Sequence, residues 1–261
     1  MLEIQKQSNG IATITLNRPE KHNAFDDVLI AQMTAAFRDI ESDQTVRLMI
    51  LAANGKNFSA GGDLNWMKRM ANYDYHDNLA DARALAEMLS TLNSISKPTI
   101  ARIQGAAFGG AVGLVSCCDI AIASESANFS LSEVKIGLVP ATIAPYVIAA
   151  IGERASRRFF ISAERFGAER ALDLGLISEI CNADELDSTI ARISRQILNN
   201  SPAAVAQCKQ LISDINHRPI SKELIEETSV CIAKIRKSAE GQEGLSAFLE
   251  KRTPAWLTED S

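Results

Sequence analysis

A lone carboxylate, Glu133, stands in a mostly apolar, small-residue stretch before Gly137 and Pro140. Two glycine pairs precede it in the chain, Gly61-Gly62 and Gly109-Gly110. Each pair lies just ahead of a helical pattern, so each presents backbone N–H groups at the positive end of a helix dipole. Glycine lets such a backbone come close to a ligand. Two of these donors converging on one point form an oxyanion hole; for a thioester they hold an enolate oxygen, and losing one donor costs about 3 kcal/mol. A carboxylate beside that point can take and return a proton. Spacing alone is equally consistent with two tight turns that serve only the fold.

Other chemistries lack their residues. Gly105 to Gly110 does not read G-x-G-x-x-G and no P-loop lysine follows it, so neither glycine turn is a dinucleotide or nucleotide fingerprint. No G-x-S-x-G elbow of a serine hydrolase occurs. The three histidines, His22, His76 and His217, are far apart, which argues against a histidine metal site, and His22 reads as a surface residue in a polar turn. The net charge of −5 gives no basic footprint for nucleic acid. No apolar run approaches the roughly 20 residues that cross a bilayer, and the first ten residues do not resemble a signal peptide, so a cytoplasmic location is expected. The five cysteines (117, 118, 181, 208 and 231) are odd in number and read as reduced structural thiols. The adjacent pair Cys117-Cys118 is geometrically unsuited to a bridge.

The elements that must position the glycine turns follow from periodicity. Residues 11–16 alternate as a half-buried strand, and a helix follows with Val28, Ile30, Met33, Ala36, Phe37 and Ile40 on its apolar side. Residues 48–51 are a short buried strand. Asp63 caps a short helix carrying Leu64, Met67 and Met70. A longer helix covers about Asn78 to Ile95 and ends at Pro98. Strand 99–103, a turn, helix 110–117 and strand 119–123 come next. This alternation predicts an α/β fold with largely parallel pairing. Beyond Pro140 the pattern predicts helices over 144–151, 155–162 and 168–174, a strand over 176–180, and helices over 184–198, 202–215, 221–235 and 238–251. A composition shift near residue 200 divides the chain into 1–199 and a helical appendage, 200–261.

Taken in order, Leu16-Asn17-Arg18-Pro19 with Asn23-Ala24, Phe58 to Leu64, Lys97 to Ala101, Gln104-Gly105 with Gly109-Gly110 and Cys118-Asp119-Ile120, Phe129 with Glu133, Gly137-Leu138 and Pro140, and Ala247-Phe248 with Glu250-Lys251-Arg252 resemble the signature of the crotonase (enoyl-CoA hydratase/isomerase) superfamily over nearly the whole chain. The resemblance implies a spiral of repeated ββα units with a helical C-terminal trimerisation region, assembled as a trimer or a dimer of trimers. It implies an acyl-CoA substrate, coenzyme A being part of that thioester and no cofactor being permanently bound. Gly62 and Gly110 would supply the oxyanion N–H groups and Glu133 the acid/base. The loop from Ala60 through Asp63 to Leu64 would receive the adenine, with Ala24, Gly113 and Pro140 also at substrate-contacting positions. Phe248 and Lys251 occupy positions that in relatives reach the CoA of a neighbouring subunit; without the motif Lys251 reads as a solvated charge.

The chain also departs from the pattern. The best-known hydratases carry two glutamates; the second falls on Glu133, and the first falls on Gly113, which has no side chain to contribute. Residues 140–146 depart from the Gly-rich turn usual there. One carboxylate suffices for the proton shift of a 3-2 enoyl-CoA isomerase. For hydration Glu133 would act twice, with Ser132, Thr142 or Tyr146 as candidate helpers. The run from Gly109 to Ala123 and that from Phe129 to Val147 resemble a bacterial branch of methylglutaconyl-CoA or carboxygeranoyl-CoA hydratases, of leucine and acyclic terpene breakdown. The expected activity is therefore hydration of a short 2-enoyl-CoA, branched or carboxylated acyl groups included, with the isomerase as the alternative and a non-catalytic CoA-binding role third.

Overall fold

The computed structural model describes residues 1–257. The alternating segment after the first turn forms β2 (Ile11–Leu16), paired antiparallel with a leading strand β1 (Leu2–Lys6) that is mostly exposed. Helix α1 (Asp27–Ser42) then returns the chain to β3 (Leu48–Ala53), which lies parallel to β2. Every residue of β3 is buried. Met49 and Leu51 enter the larger core, and Leu48 and Ile50 enter a smaller one on the opposite face. A strand covered on both faces reads as a continuous apolar run, which is why residues 48–51 carried no alternation.

A short helix α2 (Leu64–Met70) and a long one, α3 (Tyr75–Asn93), lead to β4 (Thr99–Ile103) and then to β5 (Ala106–Phe108). Next come α4 (Gly110–Cys117), β6 (Ile120–Ser124) and β7 (Asn128–Ser130). Helix α5 (Ala144–Ser162), β8 (Phe166–Gly167), α6 (Ala168–Asp173) and β9 (Glu179–Cys181) complete the two sheets. One sheet has the order β1-β2-β3-β4-β6-β9, parallel except at β1; the other has the order β5-β7-β8. The last four helices are α7 (Leu186–Leu198), α8 (Pro202–Ile215), α9 (Lys222–Lys237) and α10 (Ala239–Glu250). Arg47 ties the start of this helical region to the sheet by donating to the carbonyls of Leu198 (2.7 Å) and Asn200 (3.0 Å). The expected α/β architecture with its helical C-terminal region is thus present.

Several local expectations need correction. Val28 is 49% exposed; the buried face of α1 runs through Leu29 and Ile30 instead. The two helices expected over 144–151 and 155–162 need none: they are the two halves of α5, separated by a kink at Gly152, whose φ of 75° no helix contains. The strand expected over 176–180 is β9, displaced to 179–181, because Leu176 and Ile177 turn into the core. Strands β1, β5, β7 and β8 were not expected; three of them have two or three residues, too few for a period to show. All five cysteines are unbridged, and burial pushes the Cys117 and Cys118 thiols well up, as structural thiols require. Among the described residues no helix is long and apolar enough to cross a membrane.

Candidate active site

The two glycine turns are brought together by backbone pairing. The segment from Phe58 runs alongside β5: the Phe58 N–H donates to the Gln104 carbonyl (2.8 Å), the Ser59 N–H to Ala106 (3.0 Å), and the Phe108 N–H to Ser59 (3.0 Å). Both strands of this pair then turn through a glycine with positive φ, Gly61 at 101° and Gly109 at 56°, into a helix. Phe25 stands between the two turns. Its N–H donates to the Gly61 carbonyl (2.8 Å), its carbonyl accepts from the Asp63 N–H (2.7 Å), and its ring lies 3.4 Å from where a Cβ on Gly110 would be. Among the described residues, neither the Gly62 N–H nor the Gly110 N–H donates a hydrogen bond. Two adjacent unengaged donors, each at the start of a helix, are what an oxyanion hole requires.

Glu133 opens a one-turn 3₁₀ helix (Glu133–Ile136) just after β7. One carboxyl oxygen, Oε1, lies 3.2 Å from the position a Cβ on Gly109 would take, so a glycine there is what admits the carboxylate to the foot of the second turn. The other oxygen, Oε2, is buried without a hydrogen-bond partner among the described residues. Burial pushes the carboxyl above its ordinary range, with a hydrogen bond from its own backbone working the other way. An unengaged carboxyl that holds its proton more readily than usual, beside the donor that would carry a developing oxyanion, is suited to shuttling protons at carbon.

The structure closes the position where a second glutamate was missing. Gly113 is buried, and a Cβ there would lie 2.9 Å from Cβ of Ile143, closer still to its Cγ2, and 3.3 Å from Cδ2 of Leu89. Gly113 is therefore a packing glycine under Ile143, with no room for a side chain. The unusual 140–146 segment supplies that Ile143, so the two departures of the sequence are one structural change. Of the candidate helpers, Tyr146 lies beside Ser90 and Cys117 with its phenol raised by burial, while Ser132 and Thr142 are half-buried.

Asp63 is engaged in holding the loop. It caps α2 by accepting from the Asn65 N–H (2.8 Å) and pairs with Arg18 and Lys21, each at 3.2 Å. Burial alone would raise its carboxyl, but the amides of Asn65 and Trp66 and the Lys21 ammonium hold it below the usual range. Arg18, read in the sequence as part of the family signature but given no role, is 6% exposed; it also donates to Asp26 (2.7 Å) and to the Ala24 carbonyl (3.0 Å). Asn23, at a φ of 52°, accepts from the Arg18 N–H (2.8 Å) and donates to the carbonyls of Asn54 and Asn57. Ala24 and Pro140 are buried, and Ala60 donates its N–H to the His22 carbonyl (3.0 Å), His22 itself being exposed. Leu64 is 74% exposed at the start of α2. Phe248 and Lys251 are not brought to this site within one chain. Both are exposed on or at the end of α10, which packs on α8 and α9.

Comparison with known proteins gives the following. The family model for enoyl-CoA hydratase/isomerase matches residues 6–259. A solved enoyl-CoA hydratase of Shewanella pealeana is 49% identical, with a TM-score of 0.95, over 98% of this chain and 95% of that one. The 2,3-dehydroadipyl-CoA hydratase of Escherichia coli is 28% identical over 96% of both chains. The 1,2-epoxyphenylacetyl-CoA isomerase of the same organism is 29% identical over 94% of both.

Proposed function

The chain belongs to the enoyl-CoA hydratase/isomerase family, and on that footing we propose that it hydrates a short 2-enoyl-CoA, accepting branched or carboxylated acyl groups such as 3-methylglutaconyl. The observation that carries this reading is the half-buried carboxyl of Glu133 against Gly109, its Oε2 buried without a partner among the described residues, next to the unengaged N–H of Gly110. In the reaction Glu133 takes a proton from water as the water oxygen bonds to C3. The thioester oxygen gains the charge and is held by the Gly62 and Gly110 N–H groups. Glu133 then returns the proton to C2, so that one water is added and the enzyme is regenerated.

The CoA moiety would lie along the loop from Ala60 to Leu64. Residues 200–261 would form the subunit contacts of a trimer or dimer of trimers, bringing Phe248 and Lys251 to a neighbour's CoA. A second reading, 3-2 enoyl-CoA isomerisation, is favoured by one observation: Ile143 occupies the place of the other glutamate, leaving a single carboxyl to move protons between C2 and C4. Ultraviolet absorbance separates the two. Offered 3-methylglutaconyl-CoA, crotonyl-CoA and 3-hexenoyl-CoA in parallel, a hydratase removes conjugation from either of the first two. Gain of conjugation with 3-hexenoyl-CoA alone makes the isomerase reading correct.

A further inference from the structure

Helix α2 begins two residues after the Gly62 donor's turn and has seven residues, of which only Trp66 is buried. A helix of that length is not stable on its own in water, so its position depends on what docks it. The Trp66 indole does this in two directions. Its Cε3 lies 3.7 Å from where a Cβ on Gly62 would be, beside Cγ and Sδ of Met67 at 3.5 Å, so the ring and Met67 together back the glycine that carries the donor. Its Nε1–H donates to Oδ1 of Asp81 on α3 (2.9 Å). The helix is also tied at its start through the Asp63 cap, which pairs with Arg18 and Lys21, and at its end by Met70 against the core, while the exposed pair of Arg69 with Asp27 is of the kind that contributes little. Asp81 is half-buried; burial pushes its carboxyl up while the indole hydrogen bond pulls against that, and Asp27 and Arg69 are the charged groups around it.

From this geometry we infer that Asp81 is a positioning residue for the reaction: Phe25 fixes the Gly61–Gly62 peptide plane, and Asp81, through the Trp66 indole, latches α3 to the helix behind that turn and so holds the Gly62 N–H in place. The inference rests on the family activity proposed above for its kinetic readout. It goes beyond that activity in assigning a role to two side chains that lie outside the glycine turns and away from Glu133. A donor displaced by about 1 Å can cost on the order of a hundredfold in rate, and a partly loosened turn costs less.

The test is a double-mutant cycle on crotonyl-CoA turnover. Trp66→Phe keeps the ring and loses the N–H; Asp81→Ala loses the acceptor in a residue that suits a helix. Each should lower kcat by about tenfold with KM within about twofold, and the double variant should be no slower than the worse single. Asp81→Asn, whose amide oxygen still accepts the indole hydrogen, should recover activity to within about threefold of wild type. Wild-type kcat in either single variant, or losses that multiply in the double, overturns the latch.

A second readout does not need turnover. In a Trp256→Phe background Trp66 is the sole tryptophan, and iodide should quench its fluorescence more strongly after Asp81→Ala. Unchanged quenching overturns the latch. Increased quenching in a protein that turns over none of the thioesters overturns the activity reading and leaves the latch standing.

Discussion

The two glycine turns offer the same chemistry on opposite kinds of support. The Gly110 turn opens α4, six of whose eight residues are buried, and it lies under the Phe25 ring. In the other turn Gly62 itself is exposed between buried Gly61 and Asp63; it opens a helix with one buried residue and is held by backbone bonds to Phe25 and by polar contacts from Arg18, Lys21 and Asp81. One donor is part of the core; the other is assembled on the surface from groups distant in sequence. A core donor is hard to misplace, whereas a donor held by a buried ion-pair network can be moved by a single substitution remote from the chemistry. The difference also says where specificity can change cheaply: the surface turn tolerates new contacts, and the core turn does not.

The largest effect should come from the carboxyl at the foot of the Gly109-Gly110 turn. Glu133→Gln should lower kcat by about a thousandfold, with acyl-CoA affinity by calorimetry nearly unchanged; turnover within a few-fold of wild type removes Glu133 from the mechanism. Its pH behaviour supplies a second check. The folded pKa is raised, so the folded state binds more protons than the unfolded state between the ordinary carboxylate range and the raised value. The Glu133 contribution to stability therefore falls as pH rises across that interval, while the ionised form needed to accept a proton grows in. In Glu133→Gln that pH slope should disappear and the melting temperature near neutrality should rise. An equal slope in both proteins assigns it to other groups, Asp81 among them.

Gly110→Pro tests the core turn. Proline suits the first position of a helix, so α4 should form, but the donor is lost; kcat should fall by about a hundred- to a thousandfold with the melting temperature little changed. The surface turn is tested by Arg18→Ala, which leaves the buried carboxylate of Asp63 short of a partner. A loss of about 3 kcal/mol in denaturant unfolding should accompany a kcat decrease of about tenfold. If the activity survives while stability falls, the network serves the fold and not the donor. The smallest effect should be that of Lys251→Ala, a few-fold loss of CoA-ester affinity seen only in the assembled oligomer; equal affinity in dilute monomer and assembly returns Lys251 to a solvated charge.

The closure of Gly113 changes what restoring the missing glutamate would do. A side chain there meets Ile143 and Leu89, so Gly113→Glu strains the core and places no carboxyl in the site. The sequence showed the vacancy at Gly113 and the odd segment at 140–146 as separate departures. Only packing joins them, because the two positions are thirty residues apart and nothing local links an apolar residue at 143 to a glycine in a helix.

Elements whose cause is local were legible from residues alone. The alternation of 11–16, the apolar run of 99–103, the helix start at Gly110 and the Asp63 cap all appear where the pattern put them. Gly62, Gly110 and Glu133 could be named as candidates from residue types and motif order without coordinates. Arg18 and Trp66 were not legible in that way. Buried charge and aromatic contacts with Asp26, Asp63 and Asp81 form between segments that meet only after folding. The sequence thus determined which groups are available for the chemistry and which helices and strands carry them. The tertiary structure decided which of those groups stay free: among the described residues it left Oε2 of Glu133 and two N–H donors unpartnered, engaged Asp63, and sealed Gly113, because hydrogen bonding and close packing are settled by neighbours in space and not by neighbours in the chain.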